Sequence, residues 1–306
     1  MKRKEFLQLT TVFMGGITLN CIGGQKHQLQ TVKIGLITDL HYANRITPQG
    51  STRYYRESIN KLSECIAVMN EHRVHFFIQL GDFKDQDDPP REEDTLTYLT
   101  EIETEFHRFN GPIYHVLGNH DHDSISKQQF LDHISNEGFE KALNFYSFDT
   151  HGFHCIVLDA NFTSEGTGYN RGNFNWKDTY IPDNQLKWLK SDLHDHRDKP
   201  AIIFIHQRLD ELDGEKDHFV KNAQAVRSIL EESGNVILVL QGHDHRGDLN
   251  QINHIVYYTL KAAVEGSGLV NNNYAILEIN QELEMRITGF RNTESKNISS
   301  ENIPDM

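Results

Sequence analysis

The chain of 306 residues carries 30 basic against 44 acidic side chains, a formal net charge of −14. That length can bury a sizeable core in one large α/β domain. The acidic balance argues against a nucleic-acid surface and against free attraction of phosphorylated molecules, so an anionic substrate would need bound cations to supply the positive field.

Residues 1–24 read as an export signal of lipoprotein type. Lys2-Arg3-Lys4 is a basic start, and Phe6 to Gln25 carries no charge. Arg3-Lys4-Glu5-Phe6-Leu7 is similar to a twin-arginine motif with lysine in the second place. Cys21 follows Ile17-Thr18-Leu19-Asn20, a loose match to a bacterial lipoprotein cleavage site in which Asn20 replaces the usual small residue. The stretch is too short and polar to span a bilayer. The expectation is an exported protein, periplasmic or anchored to the membrane through a lipid on Cys21.

Val32 to Thr38 predicts the first strand, which runs into Asp39-Leu40-His41. Residues two apart in an extended segment share a face, so Asp39 and His41 can reach one ion together. The loop Gly50-Ser51-Thr52-Arg53-Tyr54-Tyr55-Arg56 precedes a helix with the stripe Ile59, Leu62, Ile66, Met69. Val74 to Leu80 predicts a second strand, ending in Gly81-Asp82-Phe83-Lys84-Asp85. A second helix carries Leu96, Leu99, Ile102, Phe106 and Phe109 and leads to the strand 112–116, which arrives at the turn Gly118-Asn119-His120-Asp121. Strand, crossover helix, strand, with polar residues at each strand's C-terminal end, describes a layered α/β sheet.

Tyr146–Phe148 and Phe153–Leu158 predict a hairpin around Asp149-Thr150-His151-Gly152. Residues 160–181 form a long loop with Tyr169, Phe174, Trp176 and Tyr180, suited to an ordered lid or a stacking wall. Pro182 opens a helix with Leu186, Trp188, Leu189 and Leu193. Ala201 to Ile205 is a buried strand ending at His206-Gln207, and an acidic insert precedes a helix with Val220, Ala223, Val226 and Leu230. Val236 to Leu240 ends in Gly242-His243-Asp244-His245, short strands fill 252–290, and the tail from Arg291 is expected to be disordered. The functional domain therefore covers residues 30–290. Cys65 and Cys155 fall on apolar stripes as inert core thiols, so neither a disulfide framework nor a zinc–thiolate site is expected. His115, His154 and His254 are placed within strands and read as structural.

Taken singly, these strand ends are ordinary: Asp39 or Asp82 alone could cap a helix, and His206 alone could be a hydrogen-bonded core histidine. Together, five strand ends offer carboxylate, amide and imidazole donors, a set that suits Mn, Fe or Zn and contains no thiolate.

In order and chemistry, the blocks Asp39-x-His41, Gly81-Asp82-x-x-Asp85, Gly118-Asn119-His120-Asp121, His206 and Gly242-His243-x-His245 resemble the calcineurin-like metallophosphoesterases. The resemblance implies a four-layer α-β-β-α sandwich with two mixed sheets and two divalent metal ions. It assigns Asp39, His41 and His245 to the first ion, Asn119, His206 and His243 to the second, and Asp82 to both. A water bridging the ions would attack phosphorus, and His120 would protonate the leaving oxygen, with Asp121 orienting it. The Gly50–Ser58 loop, His206-Gln207 and Tyr257-Tyr258-Thr259-Leu260-Lys261 resemble the manganese-dependent ADP-ribose/CDP-alcohol diphosphatases within that family. The chain departs from them at Asp121, where glutamate is more usual, and in the 160–181 loop. The likeness implies a small nucleotide-like substrate, with Arg53 or Arg56 gripping the phosphate away from the metals and Tyr169, Phe174 or Trp176 stacking a base. A phosphomonoesterase or phosphodiesterase on the same centre, and a non-catalytic surface binding lipoprotein, are the alternatives.

Overall fold

The buried strands carry apolar side chains on both faces, and the period of two sends alternate residues to different cores. In the second strand, Phe76 and Ile78 join one cluster while Phe77 joins another. Two neighbouring layers must therefore cover each sheet. The computed structural model describes residues 29–210 and 217–298; the expected export signal lies outside them.

One sheet contains β1 (Val32–Ile37), β2 (Phe76–Gln79), β3 (Ile113–His115), β10 (Asn273–Ile279), β11 (Met285–Arg291) and β12 (Lys296–Ile298), in the order β12-β11-β10-β1-β2-β3. The other contains β4 (Tyr146–Thr150), β5 (Phe153–Val157), β6 (Ala201–Phe204), β7 (Val236–Gln241), β8 (Asp248–Ile252) and β9 (Ile255–Thr259), in the order β4-β5-β6-β7-β9-β8. Both are mixed: β1, β2 and β3 run parallel, as do β5, β6, β7 and β9, while β10, β11 and β12 in the first sheet and β4 and β8 in the second join through antiparallel pairs.

Three cores fill the spaces between layers. Helices α1 (Ser58–His72) and α2 (Glu92–Phe106) press Leu62, Met69, Leu99 and Phe106 against Ile37 and Phe77 on the first sheet. Leu36, Phe76 and Ile78 meet Cys155, Phe204 and Leu240 between the sheets. Helices α4 (Asp183–Asp195) and α5 (Ala223–Ser233) bring Leu189, Leu193, Val226 and Leu230 onto Ile203 and Val239. The order is helix, sheet, sheet, helix, as expected. Among the described residues, no helix is long and apolar enough to cross a membrane.

The differences from expectation are local. Phe109 and Val220 lie just outside their helices but remain in the cores. A short helix, α3 (Lys127–His133), has a single buried residue, Phe130, and so shows no stripe; its signal is the reciprocal cap between Ser126 and Gln129. The tail is ordered as far as residue 298, because β12 pairs with β11 through Met285, Arg286 and Ile287. His254 sits in the turn between β8 and β9 rather than within a strand.

His154 fastens this architecture at the far end of β5. Its Nδ1 bonds Asp149 Oδ1 at 2.9 Å and its Nε2 bonds Asp192 Oδ2 at 2.9 Å, so one ring ties the β4–β5 hairpin to α4. Burial opposes charge on this ring, but the bonds to Asp192 and Asp149 outweigh it and raise the imidazole above its ordinary range. A raised folded value stabilises fully below the ordinary histidine range, near pH 6.5, and the contribution is lost as pH climbs through the folded value. His154→Gln should therefore cost most stability in mildly acidic solution and progressively less above neutrality, read as the gap between wild-type and variant melting temperatures. A gap independent of pH would contradict the charged bridge.

Candidate metal centre

The parallel strands β1, β2, β3, β6 and β7 deliver their C-terminal ends to one place where the two sheets meet. Asp39 N donates to Gly81 O at 3.0 Å and His41 N to Asp82 O at 2.8 Å, joining the ends of β1 and β2. Gly242 N donates to His206 O at 2.9 Å, joining β6 and β7, and His243 N donates across to Asp39 Oδ2 at 3.1 Å. Asp39, His41, Asp82 and His243 all adopt φ between 46° and 67°. Non-glycine residues seldom enter that left-handed region, and when they cluster there the surrounding contacts enforce it. The turn reverses the chain at the sheet edge and aims each side chain inward.

The glycines of the motifs leave room for this convergence. A Cβ on Gly118 would lie 2.1 Å from Asp82 N, and one on Gly81 would lie 2.4 Å from His206 Nδ1.

The donor groups brought together here, each within 4.8 Å, include Asp39, His41 and His245, and Asp82, His206 and His243, with Asp85 and His120 forming a further group around His41. Asp82 Oδ2 lies between the first two, 3.4 Å from His41 Nε2 and 3.2 Å from His206 Nε2. Each carboxylate has one oxygen fastened by the protein and another held in reserve. Asp39 Oδ2 accepts from Thr38 and His243 N while Oδ1 has no hydrogen bond, and Asp82 Oδ1 accepts His120 N at 2.7 Å. The imidazoles follow the same rule. Carboxylates and carbonyls only accept, so His41 Nδ1 donates to Asp85 at 3.0 Å, His206 Nδ1 to Leu80 O at 2.8 Å, and His245 Nδ1 to Glu265 at 2.6 Å. With Nδ1 engaged, Nε2 is the nitrogen that each ring presents toward a metal.

Buried polar atoms are almost always hydrogen-bonded, so the exceptions ask for an explanation. Asp39 Oδ1, His41 Nε2, Asn119 Oδ1, His206 Nε2 and His243 Nε2 are all buried without a hydrogen-bond partner. These are the atoms that the sequence motifs offer to two cations, and oxygen with imidazole nitrogen fits borderline divalent ions. Burial, reinforced by the neighbouring His206, holds the His243 ring well below its ordinary value, hence neutral. Burial alone would raise Asp82, but the imidazoles of His206, His120 and His41 pull its carboxyl well below the usual range.

His120 and Asp121 are placed differently from expectation. The His120 ring is one-fifth exposed, and its Nδ1 lies 3.4 Å from Asp85 Oδ2, the oxygen that also holds His41. Asp121 is turned away and fully buried. It accepts backbone N–H from Gly118 at 2.8 Å, Asp82 at 3.1 Å and Phe83 at 3.0 Å, stitching the β2 and β3 turns together. Asp85, not Asp121, is therefore the carboxylate that faces His120. Burial opposes charge on His120, but Asp85 and Asp82 outweigh it and push the imidazole up to about 9. Lys84, also unassigned from sequence, buries its ammonium against Asp123 and donates to His120 O at 2.6 Å, fixing the turn that carries His120.

Around the centre, Phe174 lies 5.3 Å from the His120 ring, and Trp176 lies 6.0 Å from His243. Tyr169 is buried and unavailable for stacking; its hydroxyl ties the loop to Asn175 O and Asp178 O. Arg53 stands at the rim, its Nε 4.0 Å from Glu265. Arg56 is exposed and donates to Asn44 O at 3.0 Å, away from the ligands.

A family model described as calcineurin-like phosphoesterase matches residues 32–247, which contain every donor just described. The chain belongs to the calcineurin-like phosphoesterase family. Within it, the chain is 25% identical over 276 residues to a manganese-dependent ADP-ribose/CDP-alcohol diphosphatase of Arabidopsis thaliana, covering 76% of this chain and 86% of the relative. A protein of the same name from Danio rerio is 24% identical over 284 residues, covering 76% and 87%. Among solved structures, a dimetal phosphatase from Danio rerio superposes with a TM-score of 0.73 at 21% identity, covering 89% of this chain and 99% of the other, a likeness of fold. By family and by site, this calcineurin-like protein is a metal-dependent phosphoester hydrolase.

The separate roles of the two carboxylates are testable. Asp85→Asn should weaken metal affinity by about 10–100-fold and lower turnover, since it loosens a ligand imidazole and the acid together, while leaving the melting temperature nearly unchanged. Asp121→Ala should instead destabilise by on the order of 3 kcal/mol, because it strands several buried N–H groups. Metal titration and thermal melts on both variants decide it, and the reverse pattern would restore Asp121 as the orienting group.

Proposed function

We propose that the protein hydrolyses nucleoside-diphosphate-linked small molecules, cleaving the pyrophosphate at a centre of two divalent cations. The observation that carries this reading is what flanks the ligands. On one side Phe174 and Trp176 stand beside His120 and His243. Near His245 an open groove of about 730 Å³ is lined by Ser51, Thr52, Tyr54, Lys261 and Asn271. Aromatic faces suit a nucleobase, and hydroxyls, amides and ammonium suit a sugar phosphate. A simple monoester would need neither flank. The names of the relatives, manganese-dependent ADP-ribose/CDP-alcohol diphosphatases, support the same class of substrate and the same metal.

Two divalent cations, when bound, neutralise the phosphoryl oxygens and bring a water molecule's pKa toward neutrality. Asp39, His41 and His245 would hold one, Asn119, His206 and His243 the other, and Asp82 both. Only two of these ligands are anionic, so the loaded centre is net positive within a chain of net charge −14. That local field is what admits an anionic substrate. The chain's own proton donor is His120. With Nδ1 facing Asp85 and the ring protonated near neutral pH, Nε2 is left to deliver a proton to the departing oxygen. Phe174 flanks one side of its ring.

Manganese-loaded protein should show a kcat/KM at least about 10-fold higher on ADP-ribose or CDP-choline than on p-nitrophenyl phosphate or its bis-aryl diester. Trp176→Ala should weaken nucleotide substrates alone, by the roughly 1–3 kcal/mol of a base–aromatic stack. A wild type that prefers the aryl esters would make the protein a simple monoesterase or diesterase.

A further inference from the structure

We propose that Arg45, in the loop after the first metal motif, binds the leaving phosphate of a diphosphate substrate and sets the preference for diphosphates over simple esters. The proposal rests on the diphosphatase reading and adds a residue that no motif contains. Arg45 Cζ lies 4.8 Å above the ring of Tyr55, itself buried, and the side chain is one-quarter exposed. Stacking on an aromatic face holds a guanidinium flat while leaving its N–H fork at the edge free. Arg53 also interacts with the Tyr55 hydroxyl, so one tyrosine meets two guanidiniums at the rim of the centre. Arg56, through Asn44 O, braces the residue that precedes Arg45.

The direction in which Arg45 points is informative. Its Nη1 lies 3.9 Å from Asp85 Oδ1, while Asp85 Oδ2 faces His41 and His120. A charge-assisted hydrogen bond would be about 2.7–2.9 Å long, so the guanidinium is attracted to Asp85 without being consumed by it. Among the described residues Arg45 makes no hydrogen bond, leaving its donors for a ligand one carboxylate away from the acid. The group beside the acid is the leaving group.

In diphosphate cleavage, the oxygen of water forms a new bond to the attacked phosphorus as the bond from phosphorus to the bridging oxygen breaks. The bridging oxygen leaves with its electron pair on the second phosphate and takes the His120 proton. The attacking water's protons pass to solvent and, in restoring the acid, to His120. One diphosphate and one water thus become two monophosphates. Negative charge builds on the second phosphate during that step, and two parallel N–H groups of Arg45 match its oxygens. An aryl phosphate has no second phosphate to hold.

The test compares Arg45→Ala and Arg45→Lys with wild type, full-length and manganese-loaded, on ADP-ribose and on p-nitrophenyl phosphate. Arg45→Ala should lose about 10²-fold in kcat/KM on ADP-ribose, the scale of one lost charge-stabilising donor, and less than about 3-fold on the aryl ester. Arg45→Lys, a point charge without the fork, should fall between the two, and free guanidinium should restore part of the Arg45→Ala rate on ADP-ribose alone. Manganese content and the aryl ester rate report that the centre is intact. Equal losses on both substrates, or no loss on either, would overturn the role of Arg45 while leaving the diphosphatase reading standing. A wild type inactive on diphosphates would overturn both.

Discussion

The Asp82 carboxylate is the point on which the structure depends, because its two oxygens face opposite requirements. Oδ1 is fixed by the N–H of His120, which ties it to the β3 turn. Oδ2 faces His41 from one ligand group and His206 from the other. A carboxylate sunk among imidazoles in a dry interior is costly unless positive charge accompanies it. Two cations held by these ligands would offset that cost and supply the positive field for a phosphate. The sheets serve this placement: β1 and β2 bring the two carboxylates with His41, β3 brings Asn119, and β6 and β7 bring the remaining imidazoles from the other side.

Holding unsatisfied atoms in place requires support from behind. Asp121 gathers the N–H groups of the β2 and β3 turns, and Lys84 anchors the next turn through Asp123. Lys61, buried on α1, donates to the carbonyls of Ala263, Glu265 and Gly266, securing the segment that presents Glu265 to His245. Burial lowers that lysine to about 8, a measure of how far it is withdrawn from water. The left-handed ligands are therefore held by a framework of protein hydrogen bonds. It leaves their donor atoms aimed at a shared volume.

Much of this was legible in the sequence because it is written locally. Apolar runs ending in glycine and a polar pair mark strands whose ends carry chemistry, and the five strand ends fall in chain order. The helix stripes likewise named Leu62, Met69, Leu99 and Phe106 as core before any coordinates. What was not legible depends on distance in the chain. Asp121 follows His120 directly, yet the turn sends its carboxylate backward, and Asp85, 35 positions earlier, faces the acid instead. Glu265 and Arg45 belong to no repeated spacing and find His245 and Tyr55 only through the fold. Tyr169 looked like a stacking ring because a loop aromatic shows nothing of its burial in the sequence. Strand β12 escaped because Lys296-Asn297-Ile298, three residues at a sheet edge with a single apolar side chain, is too short to show alternation.

The account as a whole stands on two ions meeting at one carboxylate oxygen. Anomalous diffraction from crystals of the manganese-loaded protein tests this directly. Two peaks should flank Asp82 Oδ2, about 3.5–4 Å apart, one against Asp39, His41 and His245 and the other against Asn119, His206 and His243. A single peak there, or manganese bound only elsewhere, such as at Asp149, His154 and His196, would contradict the account.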